Sequence, residues 1–188
     1  MYKVKVLELE GIKVLIPNRH EDKRGFFSEI WNKKELADIG VNFNILQENQ
    51  SYSTKSPTIR GLHFQAPPFA QDKLVRCSRG SILDVAVDIR RGSPTYGKWV
   101  SEEISYTNGK QILIPIGFLH GFVTREEDTE VIYACSNYYD SKSEGSVRFD
   151  DPKINIDWKI DLRDVVISDK DLVATPFSEF KSPFRYGK

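Results

Sequence analysis

Apolar and polar side chains alternate with period 2 along most of this chain. Over residues 82–89, Leu83, Val85, Val87 and Ile89 fall on one face and Asp84 and Asp88 on the other, and over 129–135, Val131, Tyr133 and Cys135 share a face. That period predicts strands. The breaks carry turn chemistry, at Arg91-Gly92-Ser93-Pro94, Thr107-Asn108-Gly109 and Asp150-Asp151-Pro152. Evenly spaced strands joined by such turns predict a sandwich or barrel. The helical period surfaces only over residues 33–39, where Asn32 can cap, Glu35 stands as the return partner of a capping box and Gly40 can stop the helix. A further helical turn is expected after Ser168. Residues 4–14 read as one strand in need of a partner edge, and residues 181–188 as a loosely held tail.

Two of the three histidines fall inside short strand-like blocks, Arg60-Gly61-Leu62-His63-Phe64-Gln65 and the run from Gly109 to His120. Strict alternation would point Gly61, His63 and Gln65 one way and Leu62 and Phe64 the other. The second block has the form Gly-x5-Pro-x-Gly-x2-His, with Gly109, Pro115, Gly117 and His120 in the fixed positions. This spacing recurs in the double-stranded jelly rolls called cupins and predicts His120 at a barrel mouth. A metal-binding cupin would carry His-x-His and a carboxylate in the first block. Here Gln65 holds the second position, and a neutral amide is a poor ligand for first-row metals, so no metal is expected. His20, the remaining histidine, reads as a solvated loop residue, and Trp31, Trp99 and Trp158 as packing.

Composition narrows the partners. The chain has 188 residues, 39% hydrophobic and 29% charged, which suits a single domain spanning 1–188 and burying roughly 70% of its unfolded surface. Lys+Arg 27 balances Asp+Glu 27, so no net field draws the chain to nucleic acid or an anionic membrane, and any anion must be met by a local cluster. The first residues alternate charged and apolar side chains rather than forming a signal core, and no long apolar run follows, so a cytoplasmic protein is expected. Cys77 and Cys135 lie far apart in sequence and read as reduced, packed thiols.

Several blocks together carry a resemblance. They include Asp22-Lys23-Arg24-Gly25-Phe26-Phe27-Ser28-Glu29, Gln47-Glu48-Asn49, Arg60 to Gln65, Lys73-Leu74-Val75-Arg76-Cys77, Asp84 to Arg90 and Ser93-Pro94-Thr95-Tyr96-Gly97. Ile114 to Phe122, Tyr133 with Tyr138-Tyr139, Asp150-Asp151-Pro152 and Ser168-Asp169-Lys170-Asp171 complete the set. In this order, over residues 3–177, the chain resembles the dTDP-4-dehydrorhamnose 3,5-epimerase family, cupin-fold sugar epimerases of rhamnose biosynthesis. The resemblance implies an all-β cupin-type double-stranded β-helix, a jelly-roll barrel with a few short peripheral helices. It also implies a homodimer, no cofactor, and a nucleotide-linked 4-keto-6-deoxy sugar inverted at C3 and C5.

That reaction needs a base for a proton next to a ketone, an electrophile for the enolate oxygen and an acid on the opposite face. The resemblance makes His63 the base, Asp171 its orienting carboxylate, Lys73 the partner of the enolate and Tyr133 the proton donor. For binding it implies Arg24 and Arg60 on the diphosphate with Lys170 as a weaker third cation. Glu29, Gln47 and Asn49 would meet the nucleotide or its ribose, Tyr139 would stack on the thymine, His120 would contact the sugar, and Glu144 would come from the loop after Tyr139. Alone, Tyr133 would be a core tyrosine and Lys73, Arg24 and Glu29 surface charges; the surrounding motifs change those readings. Phe149, Lys159 and the pair Thr58-Ile59 depart from the family pattern. They leave open a mono-epimerase or ketoisomerase on a related keto sugar. From other classes, a metal-dependent cupin oxygenase is disfavoured by Gln65, and a non-catalytic sugar-nucleotide-binding module remains on the same barrel.

Overall fold

The computed structural model describes residues 2–42 and 44–187. Its strands, in chain order, are β1 (Tyr2–Val6), β2 (Lys13–Pro17), β3 (His20–Asp22), β4 (Gly25–Phe27), β5 (Gln47–Ser53), β6 (Ile59–Gln65) and β7 (Lys73–Arg79). There follow β8 (Ser81–Asp88), β9 (Trp99–Ser105), β10 (Gln111–Ile114), β11 (Phe118–Thr124), β12 (Thr129–Cys135) and β13 (Glu144–Ser146). Among the described residues, two short helices, α1 (Lys33–Asp38) and α2 (Asp169–Leu172), and a single 3-10 turn, Leu162–Asp164, lie outside the strands.

The strands form two antiparallel sheets. One has the order β1-β2-β10-β7-β12-β5, the other β13-β6-β11-β8-β9, and β3 pairs with β4 in a separate hairpin. Strands distant in sequence lie side by side, as in the jelly-roll barrel the resemblance implies. The inner faces meet in a core of Val14, Val75, Ile112 and Val131 from the first sheet with Ile82, Ala86, Phe118 and Phe122 from the second. The outer faces are covered too. Val147, Phe149, Ile154, Trp158 and Phe184 from the C-terminal third pack on Leu62, Leu83, Val85, Val87 and Leu119 of the second sheet. Leu36 of α1 packs with Leu15, Leu74 and Leu113 of the first. Burial on both faces explains why β8 and β11 are nearly continuous apolar runs, and why Asp84 and Asp88 end up fully buried.

Helix α1 begins where expected. Asn32 Oδ1 accepts from the backbone N–H groups of Lys34 and Glu35, a cap that contributes about 1 kcal/mol. Six residues cannot hold a helix in water, so the burial of Leu36, roughly 2 kcal/mol for such a side chain, anchors it. Ser168 likewise caps α2 by accepting from Asp171 N–H.

Three expectations change. Residues 4–14 are not one strand: β1 folds back on β2, with Tyr2 opposite Pro17 and Val6 opposite Lys13. Gly11, at φ +96°, lies in that reversal, where left-handed backbone favours glycine. The C-terminal tail is held: Ser182 Oγ donates to Ile89 O, Arg91 N–H donates to Phe184 O, and Phe184 is buried in the second core. Finally, alternation fails in β6. The pairing of β6 with β11 shifts between His120↔His63 and Phe122↔Arg60, so three residues of β6 span what two span on β11. This bulge turns Arg60 to the same cavity as His63, with Ile59 and Leu62 in the outer core. Gly61 therefore does not share a face with His63; its φ is +124°, and a Cβ there would stand 2.6 Å from Gly121 Cα.

Candidate active site

Between the sheets lies a cavity of about 430 Å³. One wall is the five-stranded sheet, with Arg60 and His63 on β6 and His120 on β11. The facing wall is the six-stranded sheet, with Ser51 on β5, Lys73 on β7 and Tyr133 on β12. Segment 166–171 closes one side and brings Lys170 and Asp171.

His63 is held by a carboxylate. Its Nε2 lies 2.6 Å from Asp171 Oδ1, while Asp171 Oδ2 accepts from Gly61 N–H at 3.4 Å. Asp171 is 4% exposed. Burial alone would raise its pKa, but the hydrogen bond and charge of His63, with Gly61 and Ser168, hold it below the usual carboxylate range. An imidazole whose Nε2–H is bound to a carboxylate keeps Nδ1 unprotonated and able to accept a proton. His120 repeats the arrangement: its Nε2 lies 2.8 Å from Asp84 Oδ2. Asp84 is fully buried, and burial raises its pKa against the opposing pull of His120 and Lys73.

On the facing wall Lys73 Nζ stands 5.8 Å from the centre of the Tyr133 ring. Burial lowers the Lys73 pKa against the opposing charges of Cys135, Asp84 and Glu144, and burial raises that of Tyr133. The tyrosine thus keeps its proton at neutral pH, and the lysine side chain is desolvated beside the same space. Lys73 and Val75 share the inner face while Leu74 turns to the outer core, as strand register required.

A smaller groove adjoins the cavity, lined by Gln47, Asn49, Gln65, Gln71, Tyr139 and Glu144 together with His63, Lys73 and Tyr133. Glu144 is on β13 rather than in a loop, paired opposite Gln65. Its carboxylate meets Lys170 Nζ at 2.6 Å and the Tyr139 hydroxyl at 3.0 Å, and these partners hold its pKa down against burial. Tyr138 is as exposed as Tyr139 but does not line the groove.

Arg24 and Glu29 are not brought to this place. Arg24 is at the exposed β3–β4 hairpin, forked onto its own neighbour Asp22 at 2.6 Å, and Glu29 accepts from Asn32 at the start of α1. Neither lines the cavity or the groove. His20 is exposed on β3, and among the described residues no group of three histidine, cysteine or acidic side chains is placed to hold a metal. Sequence reasoning missed Asp84 as the partner of His120; its signal was an acidic residue in the middle of an otherwise apolar strand. It also missed the structural work of Gln65, whose amide bonds the backbone on either side of Tyr139. Among the described residues no helix is long and apolar enough to cross a membrane.

This fold and cavity define a cupin-type barrel equipped for acid–base chemistry on a small molecule enclosed between its sheets. The profile of the dTDP-4-dehydrorhamnose 3,5-epimerase family matches residues 6–179. The chain belongs to that family of carbohydrate epimerases. It is 44% identical over 186 residues to dTDP-4-dehydrorhamnose 3,5-epimerase of Sinorhizobium fredii, covering 97% of this chain and 93% of the relative. Among solved structures it is similar to the dTDP-6-deoxy-D-glucose-3,5-epimerase of Legionella pneumophila in complex with dTDP-4-keto-L-rhamnose, with a TM-score of 0.94, 36% identity and 100% of both chains covered. It is also similar to a 3'-monoepimerase of Streptomyces bikiniensis in complex with dTDP-quinovose, with a TM-score of 0.85, 31% identity, and 92% of this chain and 86% of that one covered.

Proposed function

We propose that this chain converts dTDP-4-dehydro-6-deoxy-D-glucose to dTDP-4-dehydro-L-rhamnose by inverting C3 and C5. The observation that carries the reading is the opposition of the carboxylate-held His63 on one sheet to Lys73 and Tyr133 on the other, across a single cavity. A hydrogen on a carbon beside the 4-keto group is acidified by that ketone. His63 Nδ1 takes it, with Asp171 stabilising the imidazolium that forms, a contribution of about 10²–10⁴-fold. Electron density moves to the ketone oxygen, where the Lys73 ammonium in a desolvated site offsets the charge. Tyr133 then delivers its phenolic proton to the opposite face of the same carbon, and a proton taken from one face and returned to the other is an inversion. Protons restored to Tyr133 and released from His63 balance the cycle.

Arg60 from the cavity wall and Lys170 at its rim supply cations for the diphosphate, and Tyr139 in the groove supplies a ring for the thymine. Arg24 and Glu29 keep the binding roles the resemblance implies only if a second copy of the chain delivers them, as the homodimer implied by that resemblance would. Light scattering at micromolar concentration checks this; a monomer mass counts against it.

The test of the function is proton NMR of dTDP-4-keto-6-deoxyglucose in D2O. Deuterium uptake at C3 and C5 with the wild type, lost in His63→Ala, is the expected result. Uptake at C3 alone would favour the second reading, a mono-epimerase like the Streptomyces relative. No uptake at either carbon would sink both.

A further inference from the structure

The strap from Asn137 to Asp140, between β12 and β13, carries Tyr139 on an exposed stretch of chain with no regular hydrogen bonding of its own. Four of its backbone groups are instead taken by three glutamine side chains. Gln71 Nε2 donates to Asn137 O at 2.7 Å, Gln65 Nε2 donates to Tyr138 O at 2.8 Å, Gln47 Oε1 accepts from Tyr139 N–H at 2.8 Å, and Gln65 Oε1 accepts from Asp140 N–H at 2.9 Å. Gln65 alone makes two of these bonds, one on either side of Tyr139. Its Nε2 also donates to Phe69 O, in the loop that leads into Lys73.

We propose that Gln65 is a positioning residue for nucleotide recognition: its buried amide locks the peptide units flanking Tyr139, so that the ring stands ready over the groove before substrate arrives. This rests on the reading of Tyr139 as the base-stacking ring. The site is built for the task, because Gln65 is 6% exposed and its amide has one acceptor and two donors, all used. A buried amide with every hydrogen bond made has one low-energy orientation, and fixing the strap removes ordering cost that binding would otherwise bear. A methyl or a carboxylate in its place cannot do the same. Glutamate retains the acceptor for Asp140 N–H but faces the carbonyls of Tyr138 and Phe69 with negative charge. This also explains the chemistry of the Arg60-to-Gln65 block: the position that would complete His-x-His in a metal-binding barrel is occupied here by a side chain that holds backbone.

The test combines binding with a double-mutant cycle in the full chain. Calorimetry measures Kd for dTDP, and kcat and KM are measured for dTDP-4-keto-6-deoxyglucose, in wild type, Gln65→Ala, Gln65→Glu, Tyr139→Ala and the double variant Gln65→Ala/Tyr139→Ala. Circular dichroism confirms that each is folded. Gln65→Ala is expected to raise Kd and KM about tenfold, the equivalent of losing one or two buried hydrogen bonds, with kcat changed by less than about threefold. The double variant should bind no more weakly than Tyr139→Ala, because Gln65 acts through that ring. Gln65→Glu should recover affinity as the pH falls and its carboxyl regains a donor proton. Additive losses in the double variant, or a fall in kcat at unchanged KM, would overturn the proposal. An active wild type with unaltered Gln65→Ala would overturn it while leaving the function standing, whereas a wild type that neither binds dTDP nor exchanges would remove both.

Discussion

Replacing Asp171 by asparagine changes one atom and reverses the logic of the His63 pair. In the native site Oδ1 faces His63 Nε2 at 2.6 Å and Oδ2 faces Gly61 N–H at 3.4 Å, so both carboxylate oxygens accept. An amide offers one acceptor only. If its oxygen stays with Gly61, its NH2 meets His63 Nε2, which must then be an acceptor, and the ring proton moves to Nδ1. If the oxygen stays with His63, two N–H groups confront each other at Gly61. The first arrangement removes the base; the second strains the bulge that aims it. The imidazolium also loses its counter-charge in a largely buried place. Together these remove most of the general-base contribution, about 10²–10⁴-fold in kcat/KM, or roughly 3–5 kcal/mol of transition-state stabilisation. Initial rates in D2O by NMR read the loss, and the nitrogen-15 shifts of His63 read which ring nitrogen carries the proton. Folded Asp171→Asn enzyme with activity within threefold of wild type would show that His63 does not need the carboxylate to act as the base.

Lys73→Met should lower kcat/KM by about 10²–10³-fold through loss of enolate stabilisation. The sign of the Lys73 shift sets the alkaline behaviour. Because burial lowers its pKa, the cation is lost at a pH below the ordinary lysine value of about 10.4, and kcat/KM should fall there; a folded Lys73→Arg enzyme that retains activity should not show that limb, since guanidinium stays charged. A pH–rate profile checks both. Gly61→Ala should destabilise the fold by about 2–5 kcal/mol in urea melts, from left-handed strain and collision with the β11 backbone. An alanine variant of wild-type stability would show that the close approach at Gly121 is not needed.

What was legible in the chain was local. The Asn32 cap, the helical turn after Ser168, the strand periods and the turns were readable because each rests on contacts within a few residues, and α1 and α2 stand where those signals put them. The jelly roll followed from strand spacing together with the motif blocks. What could not be read depends on how remote segments meet. The bulge at Gly61 is a property of β6 paired with β11, some sixty residues later in sequence, so alternation within β6 placed Gly61 on the face of His63 and could not anticipate Arg60 beside it. The reversal of β1 on β2 competes with a single longer strand, and the pairing with β10 through β2 favours the hairpin. The tail appeared polar and loose until Phe184 found the outer core. Arg24 and Glu29 came from a matching block, yet a block match says nothing about where a hairpin points. The partners of Asp84 and Gln65, His120 and the Tyr138–Asp140 peptides, could not be read because other segments bring them in.

If base and acid act from opposite sheets on one carbon, Tyr133→Phe should separate exchange from inversion when both are read in the same NMR tube. The variant should still exchange substrate hydrogen for deuterium at a carbon next to the ketone, through His63, while inversion at that carbon falls by at least about 10²-fold. Inversion at the wild-type rate in folded Tyr133→Phe would contradict it, because the opposite face would then be receiving its proton from somewhere other than Tyr133.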